Sequence, residues 1–524
     1  MLLYIFPAIL IGFISSVPTV RAESQHLLQE TKDGSAINIT INWSVSIITS
    51  KTTNTLQVVV NPPLLRNNSV HDKCYESLAT ISADYVRFVP WFPYPLLSVP
   101  EIEAPIILPP ETCITSWNFT YADELMADFY ASTPDVSHMI DFSTTPGWMW
   151  LIPSWQQYDY PRDITVTDFG YNKGNELRDS SLKEVADYYE RLVSWYVKGG
   201  FVDECGVYHH SGHNYTIEYW EVLNEIEAEH DMSPEYYNKI YDAIVEAIHK
   251  VSPDTKFVGL ALGDNSKDMK YFESFLNPAN HKPGTPIDFV SYHFYGMPSV
   301  ASSESQAAQS FAQTDEFIVD VERIEEIRKR LSPSTRSTLN EIGTFDPQGT
   351  NVVNPGYEVP AEYFVWSGGV FAYVFAKVVT MGIDVVGESQ LMGYPGQFPS
   401  VSLVDYWSGE LNARGRVLHL LQQSFGPGDV VVETTFDGQN LGASIHAQAF
   451  ITKSGERKIL LINKLNRTTE VTINGSEGGK AEVVDLSTGG KMWKTLEVGG
   501  PNFNLTGWAT VVLTEQWRER RSEL

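Results

Sequence analysis

From about residue 56 to residue 425, short apolar runs rich in β-branched and aromatic residues alternate with stretches whose apolar positions recur every three or four residues. This alternation predicts a parallel sheet with crossover helices. Eight strand runs can be counted, at Leu56–Val60, Tyr85–Val89, His138–Phe142, Ile217–Leu223, Phe257–Leu260, Phe289–Tyr292, Ser337–Leu339 and Asp384–Glu388. Eight is the number that closes a (β/α)8 TIM barrel, an α/β fold. Between them, Leu182, Val185, Ala186, Tyr189, Leu192, Val193 and Tyr196 keep helical spacing up to a stop at Gly199-Gly200. Ser233-Pro234 supplies a cap and first-turn proline for a second helix carrying Tyr237, Ile240, Tyr241, Ile244 and Ile248, and a third is expected from about Glu316 to Arg330. Past Gly426-Pro427-Gly428 the pattern turns to period-two alternation without helices, which reads as an appended antiparallel β-sandwich over 426–518. Ile37, Ile39, Ile41, Trp43, Val45 and Ile47 alternate in the same way, so the segment 23–55 is expected to pair with that sandwich, flanking a barrel over 56–425.

The chain of 524 residues, 43% of them apolar, is long enough for one large catalytic unit with a smaller companion. Residues 1–22 read as a secretory signal, although the usual positive start is missing, and no later stretch approaches about 18 uninterrupted apolar residues. Eight Asn-x-Ser/Thr sequons, at Asn38, Asn42, Asn67, Asn118, Asn214, Asn466, Asn474 and Asn504, fit passage through a eukaryotic secretory pathway. The expectation is a secreted, N-glycosylated protein, with the final Arg521-Ser522-Glu523-Leu524 read as a charged tail (519–524) rather than an endoplasmic-reticulum address. A net charge of −28 disfavours nucleic acid, anionic membrane and polyanionic glycans as partners, and leaves a neutral sugar unaffected. Of the three cysteines, Cys74 and Cys113 are the pair expected to bridge. No feature of the sequence fixes an oligomeric state.

In such a barrel the chemistry sits at the C-terminal ends of the strands. Glu225, in Trp220-Glu221-Val222-Leu223-Asn224-Glu225, follows strand four; Glu341, in Ser337-Thr338-Leu339-Asn340-Glu341-Ile342-Gly343, follows strand seven. Two carboxylates facing each other across a sugar are what glycoside hydrolysis needs, and a separation of about 5–5.5 Å specifies the retaining, double-displacement route. On these motifs the chain resembles the clan A retaining glycoside hydrolases, most closely glycoside hydrolase family 39, which holds β-xylosidases and α-L-iduronidases. The resemblance implies that Asn224-Glu225 is the acid/base motif, with Asn224 on the sugar 2-hydroxyl, and that Glu341 is the nucleophile. It also implies that Arg87, in Tyr85-Val86-Arg87-Phe88, keeps the nucleophile ionised, and that His293 and Tyr295, in Ser291-Tyr292-His293-Phe294-Tyr295, stand beside it. Where many clan members place a tryptophan after strand eight, this chain has Gly387-Glu388-Ser389-Gln390, and Trp407 from the next loop is the candidate replacement. Trp91 and Trp148, with Trp150 and Trp155, are candidates for stacking on sugar faces.

Each candidate has a plainer role to set beside this one. Glu227 rivals Glu225 as the acid, Glu388 reads as a structural ion pair with a barrel arginine more than as a sugar contact, and the tryptophans are equally suited to filling space beneath loops. His209-His210, His213 and Cys205 lack zinc spacing, so no metal and no cofactor is expected. The expected function is a secreted retaining glycosidase acting on a neutral glycoside or oligosaccharide, of β-xylosidase type. Two alternatives stand: a clan A enzyme of another family (β-glucosidase, β-glucuronidase-like or endo-glucanase type), and a catalytically silent carbohydrate-binding barrel.

Overall fold

The computed structural model describes residues 36–516, apart from 82–83, 109–111, 153–162, 172–173, 264–268, 301, 349–356, 395–396 and 438–440. The leader, Trp155 and the charged tail lie outside the described residues. Eight parallel strands close a barrel in chain order: Thr53–Val59, Tyr85–Val89, Ser137–Ile140, Tyr219–Glu221, Lys256–Leu262, Phe289–Gly296, Arg336–Thr344 and Val385–Glu388, hereafter barrel strands one to eight. At the N-terminal end of its interior, Tyr85, Met139, Tyr219, Val258, Phe289 and Val385 pack into an apolar floor. Above that floor the inward positions become polar, with Arg87, Glu221 and Asn340 all buried.

The helix Lys183–Val197 buries Val185, Tyr189, Leu192, Val193 and Tyr196 and ends before Gly199, whose φ of +80° is open to glycine at little cost. Ser233 caps Pro234–Val251 by accepting from the Tyr236 N–H. The helix expected from Glu316 instead spans Ser303–Leu331 and starts at the Ser302 cap. Its first half buries Phe311 but otherwise small or polar residues, Gln306, Ala307, Ser310 and Thr314, so it carries little hydrophobic periodicity to read.

The C-terminal strands form one nine-stranded sheet. Ile37–Thr49 joins it, pairing antiparallel with Val430–Phe436 and parallel with Thr469–Ile473, so one junction of an otherwise antiparallel sheet is parallel. Register shifts between Asn42 and Ser46, and again between Ser46 and Ile48, break the alternation expected of the first strand: Ile37 and Ile39 are buried, whereas Val45 and Ile47 are exposed. In Arg457–Asn463 both faces are covered. Ile459 and Leu461 belong to the sheet's own core, while Leu460 and Ile462 join the barrel's core. The layer between them is the helix Ala361–Val378, whose Phe375 stacks on Phe450 of the sheet. Ala361–Met381 has the length and composition of a membrane span, but 78% of its most apolar window is buried, and an all-round apolar surface is what a helix between two cores requires.

The disulfide joins Cys113 to Cys205, not Cys113 to Cys74. Cys74 lies on the inner face of the helix His71–Thr80 and is fully buried, which pushes its thiol pKa up to about 12. A thiol in an apolar shell is inert packing. Cys113 and Cys205 belong to two short hairpins, Ile106–Leu108 with Thr112–Ile114 and Gly200–Val202 with Tyr208–His210, that the bond ties together.

Glu101, in the loop after barrel strand two, is fully buried, and neither of its carboxylate oxygens has a partner among the described residues. Burial raises its pKa from an ordinary 4.5 to about 8. The native state therefore keeps a proton that the unfolded chain releases, and stability falls with rising pH across that window by about 1.4 kcal/mol per unit. Glu101→Gln, which cannot ionise, is expected to remove this slope. Urea midpoints at pH 5 and pH 7.5, compared with those of the wild type, check it.

Candidate active site

Glu341 and His293 are register partners on barrel strands seven and six, next to a shift in the pairing: Tyr292 faces Leu339, but His293 faces Glu341. The extra residue is Asn340. Strict alternation would send either Asn340 or Glu341 outward, and the bulge lets both serve the interior. Asn340 accordingly donates through Nδ2 to the Glu221 carboxylate, at 2.8 and 2.9 Å, and the Glu341 carboxylate stands one level higher. Tyr295, two residues past His293, donates its hydroxyl to Glu341 Oε2 at 2.7 Å and lies 2.7 Å from the Ser389 hydroxyl.

Glu225 reaches the same place from barrel strand four. Its backbone is left-handed, with φ 39° and ψ 49°, a strained conformation for a residue with a side chain. Its N–H donates to the Ala261 carbonyl at 2.9 Å, and its own carbonyl accepts from Ala228 and Glu229, which begins the short helix Ile226–Glu229. Space for the carboxylate comes from Gly263, where a Cβ would stand 2.7 Å from Glu225 Oε1. That oxygen is 2.8 Å from His293 Nδ1, which is in turn 3.6 Å from Glu341 Oε2. One ligand atom each from Glu225, His293 and Glu341 all lie within 4.8 Å of one another.

Beneath the pair, Arg87 is fully engaged. It donates to Glu221, Gln57 and Glu341, to Asp141 Oδ2 at 2.7 Å and to Asn224 Oδ1 at 2.9 Å. Burial works to raise the pKa of Glu341, but His293, Arg87 and the Tyr295 hydroxyl outweigh it, and the net direction is down. Burial works to lower that of His293, and Glu341 and Glu225 outweigh it, so the imidazole holds its proton more firmly than usual. Asp141 goes the other way: burial and the surrounding carboxylates outweigh Arg87, and the net direction is up. The outcome is an ionised Glu341 and, across the imidazole, a more accessible Glu225.

Residues 171–357 match the family model for Glycosyl hydrolases family 39. The chain is a glycoside hydrolase most like family 39. No match was found among curated protein sequences. Solved structures share the fold over nearly the whole chain. A GH51 arabinofuranosidase from Xanthomonas axonopodis pv. citri is similar at TM-score 0.60 and 13% identity, covering 92% of this chain and 100% of its own. The α-L-arabinofuranosidase from Thermotoga maritima, in complex with arabinose, gives 0.57 at 13% identity with the same coverage, and a glucosidase from Croceicoccus marinus gives 0.56 at 14%, again covering 92% of this chain and 100% of its own.

In this glycosidase the positions read from sequence as Asn224, Glu225, Arg87, His293, Tyr295 and Glu341 form one connected group. The tryptophans divide. Trp91 is half-buried and donates its indole N–H to Glu229 at 2.9 Å. It belongs to an arc of half-buried rings, with Phe398 6.2 Å away, Phe345 5.2 Å beyond that, and Tyr295 stacked 4.7 Å from Phe345. Trp148 is buried, its N–H bonded to the Glu101 carbonyl and its ring covered by the Arg178 guanidinium at 4.4 Å, so that face is closed to a sugar. Trp150 stacks on His230 at 4.0 Å, and burial drops the pKa of that histidine to about 4. Trp407 is 72% exposed and its ring meets Tyr406 rather than the carboxylate pair, so it does not supply the floor that strand eight lacks. Glu388 pairs with buried Arg414 at 2.9 Å, a structural ion pair. Glu227 is tied to the Gly263 N–H at 2.6 Å.

Glu221, Asp141, Gln57, Asn340, Glu229, Phe345 and Phe398 were not singled out from the sequence. For the first two a signal existed. Arg87 is a charge in the middle of an apolar strand, which must find buried counter-charges, and Glu221 and Asp141 stand in equally apolar runs.

Proposed function

We propose that the chain is a secreted retaining glycosidase for neutral glycosides, of β-xylosidase type. The observation that carries the reading is the approach of one oxygen each of Glu225 and Glu341 to within 4.8 Å beside His293, which favours the short carboxyl separation of about 5–5.5 Å used in double displacement over the ~6.5–9.5 Å of inversion. Glu341, ionised, attacks the anomeric carbon while Glu225 gives its proton to the departing oxygen. Glu225 then takes a proton from water, which releases the sugar with its original configuration. Tyr295 and Arg87 hold the attacking carboxylate, and the rings from Trp91 to Phe345 offer a face for the sugar's apolar side.

A neutral sugar suits the charge of the site. Of the cations that touch the pair, Arg87 lies against Glu221 and Glu341 and His293 lies 3.6 Å from the Glu341 carboxylate, so among the described residues neither is left for a uronate. Secretion is supported by the disulfide and by the exposure of all eight sequon asparagines.

Proton NMR of the first-formed product from a panel of aryl glycosides tests the reading: the substrate's own anomer is expected. The opposite anomer would defeat double displacement, and no turnover by the intact chain would favour the silent binder. Glu225→Gln is expected to lose far less rate on dinitrophenyl glycosides, which need no proton, than on alkyl glycosides. Rates on the two leaving groups check this.

A further inference from the structure

Glu229 lies one turn past Glu225, at the end of the short helix Ile226–Glu229, and its N–H bonds to the Glu225 carbonyl at 2.7 Å. Its Oε1 accepts two hydrogen bonds, from Asn224 Nδ2 at 3.0 Å and from Trp91 Nε1 at 2.9 Å. On its other side the Asn224 amide presents Oδ1 to Arg87 Nη2 at 2.9 Å. An amide held between a carboxylate and a guanidinium has one stable orientation. Rotated by half a turn it would set oxygen against carboxylate and N–H against guanidinium, unfavourable at both ends. The second amide N–H is left for a sugar hydroxyl. Because a single oxygen takes both donors, the amide and the Trp91 ring are also fixed relative to each other.

We infer that Glu229 is a positioning residue that aims the Asn224 amide at the sugar 2-hydroxyl and sets Trp91 beside it, an assignment that rests on the reading proposed above. It touches no reacting atom. Its effect passes through Asn224, whose bond to the 2-hydroxyl tightens in the transition state, so its loss is expected to appear mainly in kcat.

The test pairs an aryl glycoside with its 2-deoxy counterpart on wild type, Glu229→Ala, Glu229→Asp and Glu229→Gln. Glu229→Ala is expected to lower kcat/KM on the 2-hydroxy substrate by about 10–100-fold and to change the 2-deoxy rate by less than about threefold, because the contact it supports is absent there. Glu229→Asp, too short to reach both donors, should behave like the alanine variant. Glu229→Gln, which keeps an acceptor oxygen in place, should recover to within about threefold of wild type. Equal losses on both substrates, or none on either, would overturn the assignment, as would a glutamine variant as impaired as the alanine one. If Glu229→Ala does not fold, the aspartate and glutamine variants decide alone. A wild type that does not discriminate between the two substrates, or turns over neither, defeats the parent reading, and this assignment falls with it.

Discussion

Glu341→Ala is expected to lose turnover on the order of 10^5-fold, because the covalent route disappears while the rest of the site stays in place. The replacement removes the carboxylate held by Arg87, Tyr295 and His293 and opens a small space where it stood. Azide, supplied with a dinitrophenyl glycoside, can enter that space and attack the same face of the anomeric carbon. The product is then a glycosyl azide of inverted configuration. The same experiment on Glu225→Ala should give a glycosyl azide of retained configuration, since there the anion takes the place of the second-step water. NMR assignment of the two azides separates the roles. Exchange of the two outcomes would reverse the assignment, and no azide product from either would leave the pair without a nucleophile.

Arg87→Leu is expected to destabilise the fold by about 3–5 kcal/mol or more, the usual result of stranding a buried charge. Here one guanidinium serves Glu221, Asp141 and Glu341, and all three carboxylates are buried. The pH dependence should be distinctive. In the wild type the pKa of Glu341 is held below its ordinary value, so its contribution to stability is present above that value and fades as pH falls through the lowered one. With Arg87 gone, burial is less opposed and the carboxyls favour their protonated forms, so the variant should lose stability as pH rises. Urea midpoints at pH 4.5 and pH 7.5, with Glu101→Gln introduced into both proteins to remove its own slope, are expected to fall more steeply with pH in the Arg87 variant than in its parent. A variant that keeps the wild-type slope would show that the cluster's charge is balanced elsewhere.

The barrel was legible because its strands and helices carry different periods, and counting the apolar runs gave all eight strands. Glu225 and Glu341 were legible because strand ends in a barrel share one mouth. What was hidden depended on side-chain direction and on single-residue irregularities. The bulge at Asn340, which turns it towards Glu221, leaves no mark on hydrophobic pattern, and the left-handed turn at Glu225 that brings Glu229 beneath Asn224 leaves none either. The disulfide was misread because Cys74 and Cys113 looked like neighbours along the chain, whereas a helix face aims Cys74 inward. Trp148 and Trp407 show why aromatic content near a cleft is weak information: one ring is roofed by an arginine and the other faces solvent.

The strand Arg457–Asn463 gives Ile459 and Leu461 to one core and Leu460 and Ile462 to another. A segment shared in this way is a party wall. Neither room can be removed without stripping the plaster from its neighbour, so the C-terminal sheet is not a detachable accessory that evolution or an engineer could shuffle onto other barrels, and substitutions on either side of that wall are constrained together.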